Sequence, residues 1–310
     1  MHQVAPTGID AKRHCAIGNC KAPINLTDAA VNFFQLLSAE LARVEEHAIM
    51  TPLMWANIQA RTQLTSRRFK MKAKPRIALI LDENTSGDAS RYEASKGLFI
   101  AIRDAGGLPF GIPYLPEIVN AVIEEFDGLV CGGGRFAYPD DWYVRGEVSK
   151  APPSDRLSVE REIVEAYLRR DRPVLGICAG MQLLACVNGC RLWSDVQNSF
   201  PSALEHDKRG DLHRVTLTPD TRLFSLVGET TLLVNTFHRE AIGELSKSVV
   251  ASARSDDGVI EAIEVPAQNF ALGLQWHQEL FAGTDHPGNR IFRGLIEACR
   301  GSPPRSDVTG

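Results

Sequence analysis

Between Arg76 and Gly189, short β-rich or apolar runs alternate with segments of helical periodicity, and few folds accommodate that rhythm. Each apolar run suffices for one strand, and each helical stretch can carry the chain back across a sheet. Parallel strands need such crossovers, whereas antiparallel strands need only tight turns. The alternation predicts an α/β fold with an open, mostly parallel, doubly wound sheet and helices on both faces. Expected strands are Ile77 to Leu81, Leu108 to Tyr114, Asp127 to Cys131 and Pro173 to Ile177. Expected helices are Ser90 to Ala105, Pro116 to Glu125, one ending near Arg170, and Met181 to Val187. The glycine run Gly132 to Gly134 opens a long irregular segment over about 135–157, the kind of loop that frames active sites.

After Gly189 the pattern changes to strands with few helices: Arg191 to Val196, Arg214 to Leu217, Thr231 to Asn235, Val249 to Ala253, Val259 to Val265 and Phe270 to Trp276. Asp257-Gly258 supplies a hairpin turn, and a final helix over Pro287 to Cys299 packs back on the sheet.

Charge sets the first 74 residues apart. Ten Lys/Arg against five Asp/Glu give +5 there, while 24 against 33 give −9 for residues 75–310, together the −4 of the 310-residue chain. A balance so near neutral points to neither nucleic acid nor an anionic membrane. The expected organisation is a helical extension and basic linker over 1–74, an α/β domain over 75–300, and a flexible tail over 301–310. In the extension Ala30, Phe33, Phe34, Leu37, Leu41, Val44 and Ala48 follow a Thr27-Asp28 cap at helical spacing, and a second helix runs from Leu53 to Leu64. Such a stripe must be covered, which makes the extension a candidate for homodimerisation or partner docking. The basic linker lacks interleaved aromatics, so it reads as a solvated connector. His14, Cys15 and Cys20 lack the fourth ligand and the paired spacing of a zinc site. Seven scattered cysteines suit a reducing cytosol, and no stretch has the apolar character of a secretory signal or a membrane span.

The sharpest chemical signal is Gly176-Ile177-Cys178-Ala179-Gly180, a G-x-C-x-G turn between a strand and a helix. Flanking glycines relieve crowding, so a strained turn can hold one side chain exposed, here a thiol at the positive end of a helix dipole. Read alone, the pentapeptide is equally a buried strand end with glycines chosen for packing. A thiolate that cleaves an amide needs a proton donor for the leaving amine, and His277 offers one. Residues two apart at a strand end face the same side, so Glu279 can hold one imidazole nitrogen while the other faces Cys178. The tetrahedral oxyanion needs backbone donors, for which the amides of Ala179 and Gly133 are the candidates.

LVCGGG at 129–134, GICAGMQLL at 176–184 and GLQWHQEL at 273–280 resemble the class I glutamine amidotransferase superfamily. KPRIALI at 74–80, AGGLPFGIPYL at 105–115, VNTFHREAI at 234–242 and DGVIEAIE at 257–264 are similar to its γ-glutamyl-γ-aminobutyrate hydrolase (peptidase C26) branch. The resemblance spans about residues 75–300. It implies a flavodoxin-like sheet and a cysteine hydrolase that cleaves the γ-glutamyl amide bond of an amine or amino acid through a glutamyl thioester. On this analogy Cys178 is the nucleophile, His277 the general acid and base, and Glu279 its orienting carboxylate. Gln182 matches the position that helps hold the glutamyl moiety, and Asn235 and His238 match a substrate-side stretch. No metal or other cofactor is implied.

Ala179, Arg135, Gln278 and Arg239-Glu240 stand where the branch often has arginine, aspartate, proline and His-Gln; these departures bear on the amine side of the substrate. Two other readings stay open: a glutaminase subunit passing ammonia to a separate synthetase, and a non-catalytic binding protein on the same fold.

Overall fold

The computed structural model describes residues 74–84, 90–200 and 204–301. The predicted helices over 27–64, the His14, Cys15 and Cys20 set and all of the tail after Gly301 lie outside the described residues.

Nine strands form the central sheet: β1 (Arg76–Ile80), β2 (Leu108–Ile112), β3 (Gly128–Cys131), β4 (Val174–Ile177), β5 (Leu212–Leu217), β6 (Thr231–Asn235), β7 (Val250–Ser255), β8 (Ile260–Glu264) and β9 (Ala271–Leu274). Their order is β2-β1-β3-β4-β9-β8-β7-β5-β6. The first five in that order pair parallel, and the remaining pairings, from β9 onward, are antiparallel. The strand-rich sequence after Gly189 thus extends one continuous sheet.

Alternating strand residues divide the core into two layers. Ala78, Ile80, Leu129 and Val174 face the layer that holds α2 (Val119–Glu125), α3 (Arg156–Arg169) and α4 (Ala179–Val187). Ile77, Leu79, Val130, Leu175 and Leu272 face α1 (Lys96–Asp104), α5 (Arg222–Val227) and α6 (Arg290–Gly301). This is the expected doubly wound arrangement. No helix among the described residues is long and apolar enough to cross a membrane.

Three local readings change. Arg91–Glu93, expected in a helix, pairs antiparallel with Asp82–Asn84, because the Ser95 hydroxyl caps α1 by accepting from Gly97 N at 3.2 Å. Arg191–Trp193 leaves the main sheet to pair with Ala241–Glu244. Helix α5 occupies sequence with no predicted element; Thr221 caps its start, Glu264 accepts from Arg222 N and Leu223 N, and Gly228 ends it at φ +72°. A Thr-to-Gly punctuation was available as a signal.

Candidate active site

The end of β4 places Cys178 where the parallel strands deliver their carboxyl ends, the region in which open α/β sheets bind ligands. Its backbone lies at φ +54°, ψ −110°, a conformation that costs a residue with a β-carbon about 1–3 kcal/mol. Neighbouring contacts hold it there. Cys178 N donates to Leu274 O on β9 at 2.7 Å, and Cys178 O accepts from Met181 N and Gln182 N as α4 begins. The flanking glycines are required by space: a β-carbon on Gly176 would lie 2.4 Å from Gly180 O, and one on Gly180 would lie 2.2 Å from Cys131 O. Both obstructions are main chain and cannot rotate away. Gly180→Ala is therefore expected to lower stability by about 1–3 kcal/mol in urea unfolding, since overpacking here must move β3 or α4.

His277 follows β9, and three interactions hold it. Its Nδ1 lies 2.8 Å from Glu279 Oε1, leaving Nε2 as the ring atom available to the Cys178 sulfur. Asn235 fixes the backbone by accepting from His277 N at 2.9 Å and donating to His277 O at 2.9 Å. Burial opposes a charge on the imidazole, but its hydrogen bonds and electrostatic interaction with Cys178 and Glu279 raise its proton affinity well above the ordinary range. The structure thus brings Cys178, His277 and Glu279 into one chain of contacts.

The glycine loop supplies the opposite wall. A β-carbon on Gly133 would sit 2.6 Å from His277 Cε1, so glycine permits that approach. The carbonyls of Gly132 and Gly133 accept from Arg156 Nη2 and Nη1 at 2.9 and 2.8 Å. Peptide planarity then turns the amides of Gly133 and Gly134 away from Arg156. Arg156 is 1% exposed, forms a two-point pair with the buried Glu160 at 2.8 and 3.1 Å, and reaches Asp82 at 3.0 Å. Sequence reasoning missed it, because an Arg and a Glu four apart on a helix ordinarily mark a solvated face. Ala179 opens α4, where an N–H has no acceptor within its own helix.

Cys178, Ala179, His277, Glu279 and the glycines at 132–134 line a cavity of about 690 Å³. Gln182, 4% exposed, borders it and donates to Glu240 O at 2.9 Å and to Gln275 at 3.2 Å. The Tyr138 hydroxyl donates to Ala179 O at 2.9 Å, bracing the start of α4. His238 also borders the cavity, but its Nδ1 is directed to Glu240 O at 3.0 Å and its Nε2 faces Glu261 at 3.4 Å. Of the departures from the family pattern, Arg135, Ala179, Arg239 and Glu240 line the cavity. Arg239 pairs with Asp207 at 2.7 Å. Burial drives the Glu240 carboxyl up to about 7, against the Tyr143 hydrogen bond and the charge of Arg135. Gln278 lies outside the lining: fully buried, it accepts from Trp276 Nε1 and donates to Asn289, a packing role in place of the expected bearing on substrate.

The family model for Peptidase C26 matches residues 77–279. Protein NtpR of Enterococcus hirae is 32% identical over 217 residues, covering 65% of this chain and 86% of that protein. The γ-glutamyl-γ-aminobutyrate hydrolase PuuD of Escherichia coli is 28% identical over 241 residues, covering 73% and 94%. Among solved structures, a Thermoplasma acidophilum protein described as a GMP synthase component superposes with a TM-score of 0.52 over 74% of this chain and 95% of that one. At 18% identity that likeness bears on the fold alone.

Proposed function

The chain belongs to the peptidase C26 family, and on that premise we propose that it hydrolyses the γ-glutamyl amide bond of a γ-glutamylated amine or amino acid. One observation carries the reading: a cysteine at φ +54° beside an imidazole whose other nitrogen is 2.8 Å from a buried carboxylate. A thiol held at that backbone cost, facing a positioned base, is suited to attack a carbonyl carbon.

The Cys178 thiol passes its proton to His277 Nε2, and the sulfur adds to the γ-carbonyl carbon, forming a C–S bond and placing negative charge on the carbonyl oxygen. The amides of Ala179 and Gly133 stabilise that oxyanion. As the tetrahedral species collapses, His277 protonates the departing nitrogen and the C–N bond breaks, leaving a glutamyl thioester. His277 then takes a proton from water, whose oxygen attacks the thioester carbonyl. Glutamate departs as the C–S bond breaks and the sulfur recovers its proton. Glu279 orients the ring and stabilises the imidazolium. Gln182, Asn235 and His238 border the cavity on the glutamyl side, and Asn235 also holds the His277 backbone while His238 Nδ1 meets Glu240 O.

The test is glutamate release by the 310-residue chain from a panel of γ-glutamyl amines with glutamine included. Preference for one conjugate over glutamine is the expected result. Release from glutamine alone, enhanced by an added synthetase, would replace this reading with ammonia donation. Selective alkylation of Cys178 by a glutamine-like electrophile is expected in either case, and a chain that is neither labelled nor active would be a binding protein.

A further inference from the structure

At the cavity wall, with His238 bordering the cavity and His206 and His213 behind it, three imidazoles converge on one buried carboxylate. Glu261 on β8 is 0% exposed, and its Oε1 faces His206 Nδ1 at 3.3 Å, His238 Nε2 at 3.4 Å and His213 Nε2 at 3.7 Å. His213 lies on β5, His206 in the segment before it, and His238 just after β6. All three histidines are buried. Despite this proximity, none of those three nitrogens, nor either Glu261 oxygen, makes a well-directed hydrogen bond. Buried polar atoms rarely remain unsatisfied, so five in one cluster require an explanation.

The far sides of the rings narrow the options. His206 Nε2 lies 2.9 Å from Asp257 Oδ2, and His238 Nδ1 lies 3.0 Å from Glu240 O. In a neutral ring each acceptor draws the proton to its own side, turning the lone pairs of His206 Nδ1 and His238 Nε2 toward the Glu261 oxygen; burial opposes a second proton on His206, while Glu261 and Asp257 favour it, so a proton is the ion's competitor there. Lone pairs directed at an anion repel unless positive charge sits between them. A carboxylate or carbonyl accepting from the outer nitrogen is also how metal-binding histidines are oriented.

Spacing agrees with a cation. Around an ion with bonds of about 2.0–2.1 Å, tetrahedral ligand atoms lie roughly 3.3–3.4 Å apart. The separations from Glu261 Oε1 run from 3.3 to 3.7 Å. Ligand atoms of His206, His213 and Glu261 all lie within 4.8 Å of one another, a spread that small side-chain rotations can close. A donor set rich in imidazole favours zinc-class metals over magnesium or calcium.

We infer that His206, His213 and Glu261 form a binding site for a zinc-class divalent cation that is separate from the cysteine site and structural in role, with His238 facing the same carboxylate oxygen from the cavity side. The ion would join β5 and β8 to the segment that carries Asp207 into the cavity lining. That segment in turn holds the one carrying Phe237 through His206 O, which accepts from His238 N at 2.8 Å and from the Thr236 hydroxyl at 2.9 Å. Cross-linking β5, β8 and the Asp207 segment at the ligands would stiffen this wall without touching the reacting atoms.

Cobalt(II) titration of the chelator-stripped 310-residue chain tests the site. The expected result is saturation at one equivalent, with the visible absorption of tetrahedral cobalt, no sulfur-to-cobalt charge-transfer band, and displacement by zinc. His213→Gln and Glu261→Gln should abolish that band, and Asp257→Asn should weaken cobalt binding about 10- to 100-fold. A folded wild-type chain with no saturable band, or with only a sulfur-ligated one, overturns the site in favour of a cluster held by protons. So does a band unchanged in both ligand variants. Should the ligand variants fail to fold, the wild-type spectrum and stoichiometry still decide.

Discussion

Cys178→Ala is expected to lower glutamate release from a γ-glutamyl amide by roughly 10⁴- to 10⁶-fold, the range seen when a covalent nucleophile is removed from an intact site. The fold should survive, since alanine fits within the space of a side chain that is 7% exposed. Strain provides a second readout. Both cysteine and alanine carry a β-carbon at φ +54°, while glycine adopts that conformation freely. Relief of about 1–3 kcal/mol, less the 0.5–1 kcal/mol of extra chain entropy that glycine loses on folding, should leave Cys178→Gly about 1 kcal/mol more stable than Cys178→Ala. Urea unfolding measures this difference. Near wild-type release from Cys178→Ala would eliminate the mechanism, and a less stable glycine variant would show that the turn is not strained.

Arg156→Ala should reduce stability by about 3–5 kcal/mol, because it leaves the Glu160 carboxylate, 0% exposed, without its cation. Two glycine carbonyls and Asp82 lose their donor in the same step. Arg156→Lys should recover only part of the loss, because a single ammonium cannot reproduce the planar fork that contacts Glu160 and both carbonyls. Arg161→Ala on the same helix is the control: its pair with Glu165 is solvent-exposed and should contribute under about 1 kcal/mol. An Arg156 variant no less stable than the Arg161 variant would contradict this account. Activity should also fall, since Arg156 sets which way the Gly133 amide points.

Local pattern carried much of this fold into view. The strand and helix periods placed β1 to β4 and the helices between them to within a few residues, because apolar periodicity and burial are the same constraint. At the 91–93 segment the pattern misled, since its outcome depended on Ser95 capping the next helix and on pairing with Asp82–Asn84. Helix α5 escaped because it is six residues long and relies on Glu264, more than thirty residues away, to satisfy its first amides.

The candidate site divides in the same way. Cys178 and its glycines could be read from five consecutive residues, because a tight turn is a local steric problem with a local signature. His277 and Glu279 were paired by the alternation of strand side chains. Arg156 and the histidines around Glu261 had no such signature: burial alone gives those charges their importance, and burial is decided by how distant segments stack. From the sequence came the order of elements and the residues suited to amide chemistry. Only tertiary structure decided that the sulfur faces the imidazole, that a buried guanidinium orients the glycine loop, and that three imidazoles share one carboxylate, because each depends on segments distant in the chain meeting away from water.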